Sequence, residues 1–206
     1  NLIVAYHITG KIQQNFVHHT LTNVHQRDED ISNEVMRFSR NEKRKGGYRL
    51  QMIYSIFLYG LLSLHRLISK DFEQLARYSQ LNLLAGQGLT FKRALLYSIL
   101  IKVGYYSVML VLPMLVVPIA WWMTLLGFLL MHYISGIILA LILQAAHISE
   151  ETEFFKVKSE GTMENSWAVH QMKTTTNFGT KSKLLNWIVG GVNNQLEHNL
   201  FPSICT

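Results

Sequence analysis

Cysteine is almost absent from this chain of 206 residues; the only one is Cys205, beside the last residue. That excludes an intrachain disulfide framework and any cysteine-only zinc or iron–sulfur centre. Charge is scarce too. Asp, Glu, Lys and Arg make up 16% of the residues, against about 25% in an ordinary soluble domain. Hydrophobic residues make up 49%, and the mean hydropathy is +0.15, so the deficit of charge points to a membrane. With 3 prolines and 13 glycines, the chain has no stretch suited to a linker. No internal repeat or low-complexity tract appears, and the length suits one domain. Residues 1–12 lack the basic start and long apolar run of a secretory signal. The start at Asn1 and the stop after "PSICT" predict a piece of a longer protein.

What charge there is leans basic, with a net charge of +6 and a pI near 9.4. In so apolar a chain this predicts segments facing the cytoplasm and lipid headgroups. No basic stretch is interleaved with stacking aromatics, so no nucleic-acid partner is expected. The strongest basic run is "MRFSRNEKRKGGYRL", residues 36–50.

Long apolar runs are the main thing present. Residues 94–117 carry one charge, Lys102, and residues 120–144 carry none. About 20 apolar residues cross a bilayer, so the two predict a transmembrane hairpin over about 94–144, turning at Pro118 and the pair Trp121 and Trp122 at headgroup depth. Lys102 lies about two turns in, where its long stem could snorkel. The run at 52–64 has 13 residues and reads as interfacial or re-entrant. Two crossings would return residues 1–50 and 147–206 to one side, and the basic run predicts that this side is cytoplasmic.

Histidine is plentiful, with nine in the chain. In "QQNFVHHTLTN", residues 13–23, a helix would put Gln14 and His18 on one face with His19 beside them. In "NQLEHNLFP", residues 194–202, it would group Gln195, His198 and Asn199. Imidazole suits iron, zinc and copper, so a nitrogen-ligated iron site at the membrane surface stands against polar loops whose histidines simply hydrogen-bond. In "AHISEE", His147, Glu150 and Glu151 fit either half of a carboxylate di-iron motif or a solvated helix end, and the non-recurrence of Glu-x-x-His favours the latter. "ENSWAVHQ" supplies Asn165 and His170. His132, inside the second run, is either a functional ionisable group or a bond to a neighbouring helix. His7, His25 and His65 show no partner pattern.

Taken in order, "HHTLTN", "DEDI", "AHISEETEF", "ENSWAVHQMKTTTNF" and "GGVNNQLEHNLFPSIC" resemble the membrane fatty acid desaturases, most closely the acyl-lipid, front-end type of bacteria, from about residue 10 to the end. The resemblance implies an all-α integral membrane protein whose cytoplasmic cap holds two irons through three histidine boxes. It implies oxygen-dependent desaturation of a fatty acyl chain, carried as lipid, CoA or carrier-protein ester. Electrons would come from a ferredoxin or a small haem cytochrome. His18 and His19 match the pair closing the second box, His198 the first histidine of the third box, and His170 an upstream ligand. Gln195 and Asn165 match supporting positions. Gln14 and Asn199 stand where the family has histidine, the first box would lie upstream of Asn1, and Gly10 or Lys11 stands where a tryptophan is expected. Two readings therefore stand: a desaturase (or a related acyl hydroxylase), or a catalytically inactive membrane protein of the same fold that binds lipid or a partner.

Overall fold

The computed structural model describes residues 6–13, 22–24, 36–38, 45–149, 152–155 and 165–201. Among these the chain is helical, with no strand and one isolated parallel bridge, Val24 with Phe155. In a bilayer a helix satisfies its own backbone groups, so runs this apolar fold as helices. The helices are α1 (His7–Ile12), α2 (Gln51–His65), α3 (Asp71–Gln80), α4 (Phe91–Tyr106), α5 (Leu112–Val116), α6 (Trp121–His147), α7 (Trp167–Thr174), α8 (Lys183–Val189) and α9 (Gln195–Leu200).

Among the described residues, three continuous helical runs are long and apolar enough to cross a membrane: Gly46–Gln80, Phe91–Val116 and Trp121–His147. The last two coincide with the apolar runs read as a hairpin. The first corrects the reading of 52–64 as too short. A 3-10 turn at Gly46–Leu50 and a π turn at Arg66–Lys70 extend the helix at both ends, and its polar residues interrupt the apolar run without interrupting the helix. The argument from two crossings falls with it. Asn23 is nonetheless hydrogen-bonded to the carbonyls of His147 and Thr174, so the two polar regions do meet.

Pro113 explains the π turn at Ser107–Val111, because it has no N–H to give and its ring crowds the preceding turn. Val117 leaves the helix at φ −86°, ψ 127°, as the residue before Pro118 must.

The chain divides into two compact units, Asn1–Ile12 with Ile56–Leu139, and Gln13–Ser55 with Ala140–Thr206. The first is held together by polar links set among Leu67, Leu75, Tyr78 and Phe128, all buried. Lys102 is buried and does not snorkel: its Nζ lies 2.9 Å from Asp71 Oδ2 and donates to the Arg66 and Leu67 carbonyls in the π turn. Oδ1 of Asp71 accepts from the Thr9 hydroxyl at 3.1 Å, and the Tyr6 N–H donates to Oδ2 at 3.3 Å. His132 bridges three helices, with Nδ1 2.8 Å from Ser63 Oγ and Nε2 2.9 Å from the Tyr105 hydroxyl, which is the neighbour-bonding alternative. Close backbone approach demands glycine at Gly136, where a Cβ would lie 2.5 Å from the Tyr59 carbonyl oxygen.

Candidate functional site

The second unit has a polar interior. Its buried apolar side chains among the described residues are Val24, Met36, Ala140, Ala146 and Phe155, while Thr22, Asn23, His147, His170, Gln171, Thr174, Thr175, Asn193, Gln195 and Asn199 are buried as well. Burying so many polar groups costs free energy unless they bond one another, and most of them do.

The network is built from three short segments. Helix α7 turns His170, Gln171 and Thr174 inward at i, i+1 and i+4. Helix α9 does the same with Gln195 and Asn199. Its start is fixed by Asn177, whose Oδ1 accepts from Leu196 N–H at 2.9 Å and whose Nδ2 donates to Glu197. The turn before α9 depends on Gly190 and Gly191 at φ +65° and +83°, a region that side-chain-bearing residues avoid. The third segment is residues 22–24. Asn23 takes φ 55°, a conformation Asn tolerates best among non-glycine residues. Its Nδ2 donates to the His147 carbonyl at 2.8 Å and the Thr174 carbonyl at 3.1 Å, while its carbonyl accepts from Phe155 N–H.

Sequence reasoning missed Asn23, Gln171 and Thr175. The available signal was amide and hydroxyl residues directly after the histidine pair and after His170. Replacing Asn23 with Ala leaves two buried carbonyls without this donor, at about 1–3 kcal/mol each. We expect Asn23→Ala to lower the thermal midpoint in detergent by several degrees, measured by circular dichroism.

His170 is buried against Thr22, with Nε2 2.7 Å from its carbonyl. A carbonyl only accepts, so Nε2 carries the proton and Nδ1 holds a lone pair. Burial pushes this imidazole below the ordinary histidine value, opposed by the Thr22 bond, so the ring is neutral at pH 7. Nδ1 is buried and has no partner among the described residues. Gln195 Oε1 and both amide atoms of Asn193 are buried and likewise unmatched there.

Asn199 behaves differently. Its Nδ2 donates to Gln171 Oε1 at 3.2 Å and to Thr175 Oγ1 at 2.8 Å, and its Oδ1 accepts from Gln195 Nε2 at 3.3 Å. Gln171 Oε1 also accepts from the Thr22 hydroxyl. The expected grouping on α9 therefore holds for Gln195 and Asn199, while His198 sits at the edge, half-buried. Asn165 lies just before α7 with its Nδ2 buried. Gln14, His18, His19, Glu150 and Glu151 lie outside the described residues.

Tested against iron, His170 fits a ligand: a neutral imidazole with a buried, unmatched lone pair. Asn199 does not, because its amide is engaged by three side chains. Among the described residues no group of three or more His, Cys, Asp or Glu comes together, so these donors alone do not hold two irons.

The chain matches the family described as "Fatty acid desaturase" over residues 8–206. It is 30% identical to the sn-1 linoleoyl-lipid 6-desaturase of Synechocystis sp., over 95% of this chain and 54% of that protein. It is 31% identical to the acyl-lipid (8-3)-desaturase of Physcomitrium patens, over 94% of this chain and 40% of that one. The probable Delta(5) fatty acid desaturase C of Dictyostelium discoideum is 28% identical, over 91% and 41%. The chain spans about half the length, or less, of these relatives. No solved structure matches it significantly. Its apolar helices, the order of its motifs and a match running from residue 8 to the end lead to one conclusion: the chain belongs to the fatty acid desaturase family.

Proposed function

We propose that the protein carrying this chain is a front-end acyl-lipid desaturase, which places a double bond between the carboxyl end of an acyl chain and a double bond already present. The observation that carries this is the similarity across nearly the whole chain to proteins named as a linoleoyl-lipid 6-desaturase, an acyl-lipid (8-3)-desaturase and a Delta(5) fatty acid desaturase. The C–H bonds of a saturated methylene offer no handle for acid–base chemistry, so a redox metal with O2 supplies the oxidising power when iron is bound. His18, His19, His170 and His198 are the residues of this chain proposed to hold it, and a ferredoxin or a small haem cytochrome is the proposed electron donor.

The chain's own residues would do the positioning. Thr22 fixes the ring of His170 through its carbonyl. The Thr22–Gln171–Asn199 network ties the segment after the histidine pair to α7 and α9. The apolar helices would take the acyl chain out of water. Product analysis of acyl lipids tests the activity.

One observation favours a second reading. The amide of Asn199 is knitted into Gln171, Thr175 and Gln195, which is what a relative that kept the fold and lost a metal position would show. Iron content separates the two readings.

The histidine motifs are proposed to face the cytoplasm, on the strength of the basic run at 36–50. Protease added to sealed vesicles should cut within 36–50 only when the cytoplasmic face is outward. Cutting from the opposite face alone would reverse the orientation.

A further inference from the structure

Helix α8 holds an apolar face outward. Leu184, Trp187 and Ile188 share one side of it at i, i+3 and i+4, and they are 67%, 80% and 62% exposed. Lys181 and Lys183, also exposed, stand at its start. Leu185 packs instead against Gly179, where a Cβ would meet its side chain. A helix of 7 residues is too short to persist alone in water, so this one depends on its ends. Ser182 Oγ accepts from the Leu185 N–H at 3.2 Å. Gly190 closes the helix in the left-handed conformation, and the Gly191 N–H donates to the Asn186 carbonyl at 3.0 Å. The exposed face therefore belongs to a helix capped at both ends and not to a frayed one.

Clustered apolar side chains on an outer surface mark a surface that is covered in use. The compact unit that carries α8 also contains residues 46–55 and 140–147, the ends of two of the runs long and apolar enough to cross a membrane. A bilayer is thus held by the same chain at high effective concentration, whereas a soluble partner must be captured from solution. The charge around the face agrees. Described residues 165–201 hold Lys173, Lys181 and Lys183 against one acid, Glu197, and Asn177 donates to that carboxylate. Tryptophan favours headgroup depth, and lysine stems lie along apolar surface while their ammonium groups reach phosphates.

We propose that α8 rests on the glycerophospholipid surface of the membrane, with Leu184, Trp187 and Ile188 seated among the headgroups and first methylenes and Lys181 and Lys183 at the phosphates. The seat bears on the candidate site. Asn194 Nδ2 donates to Asn186 Oδ1 at 3.2 Å, and α9 starts at the next residue. The lipid surface would in this way set the height at which Gln195 and Asn199 stand. This seating needs the membrane character of the chain and neither desaturation nor iron, so failure of one leaves the other untouched.

The test uses the full chain in vesicles of phosphatidylcholine and phosphatidylglycerol. Cys205 is the only cysteine, so in a Cys205→Ser background a nitroxide can be placed at Leu184→Cys or Ile188→Cys. Collisions with oxygen and with a water-soluble nickel complex then give the depth of each label by electron paramagnetic resonance. Both labels should lie about 5–10 Å below the phosphates, the depth of an interfacial helix. Should the labelled variants fail to fold, tryptophan emission decides. Phospholipid brominated near the head of its acyl chains should quench the parent more than Trp187→Phe. Equal quenching, or labels as open to the nickel complex as in water, would overturn the proposal. Labels shielded from both reagents would mean that protein covers the face, from this chain or a second copy, and would overturn it as well. Labels open to water that become shielded when a soluble acidic protein such as a ferredoxin is added would assign the face to protein docking and overturn the lipid seat.

Discussion

Lys102→Met is expected to destabilise the protein by about 3–5 kcal/mol, the usual cost of removing one partner of a buried ion pair. Lys102 and Asp71 are both almost fully buried, with side chains 7% and 1% exposed. Without the ammonium, the Asp71 carboxylate keeps, among the described residues, the Thr9 hydroxyl and the Tyr6 N–H, which do not neutralise it. For a chain of this size the loss corresponds to a fall in thermal midpoint of about 10 °C, read in detergent by circular dichroism. Asp71→Asn should cost less, because Lys102 retains the Arg66 and Leu67 carbonyls freed by the π turn. Replacing both residues with apolar ones of similar volume should recover most of the stability, since the pair's own net contribution is small. A fall below about 2 °C for Lys102→Met would show that the pair is not desolvated as described.

The second large effect concerns iron. Gln14→His together with Asn199→His is expected to raise iron affinity by about 10–100-fold, on the scale by which even supporting residues alter metal sites. The geometry adds a condition. A histidine at 199 breaks the bonds that Asn199 makes to Gln171, Thr175 and Gln195, leaving buried amide and hydroxyl groups unmatched at about 1–3 kcal/mol. The variant should therefore melt lower than the parent without iron and recover when ferrous iron is supplied. The readouts are iron per chain by elemental analysis and the midpoint with and without iron. A variant that melts lower and gains no iron would mean that position 199 does not face a metal.

Legibility in the sequence followed the range of the interactions. The apolar runs at 94–117 and 120–144 could be read directly, because a bilayer selects for local composition. The order of the polar motifs was legible in the same way and gave the family. The run at 52–64 was misread because its helix continues through Arg66, Lys70 and Asp71, charged residues that look like an end. Their compatibility with a continuous helix comes from Lys102, 31 residues further on, and no local pattern shows that partner. His132 was read as lying within the second apolar run, which is helical, with its partners Ser63 and Tyr105 left open, since both come from other helices. At the candidate site, His170, Gln195 and Asn199 were legible as candidates from motif position. The network joining the last two was not, because Thr22, Gln171 and Thr175 come from two separated segments and carry no signature of their own.

The measurement that bears most directly on the central claim is the fatty acid profile of a host that lacks desaturation near the carboxyl end. The host would express the protein carrying this chain and be fed linoleate. Gas chromatography of lipid methyl esters should show a new polyunsaturated acid whose added double bond lies between the carboxyl group and the existing ones. It should be absent when His170→Ala replaces the parent at equal membrane abundance. An unchanged profile from protein that is present in the membrane and folded would contradict the desaturase assignment and leave a desaturase fold without desaturation.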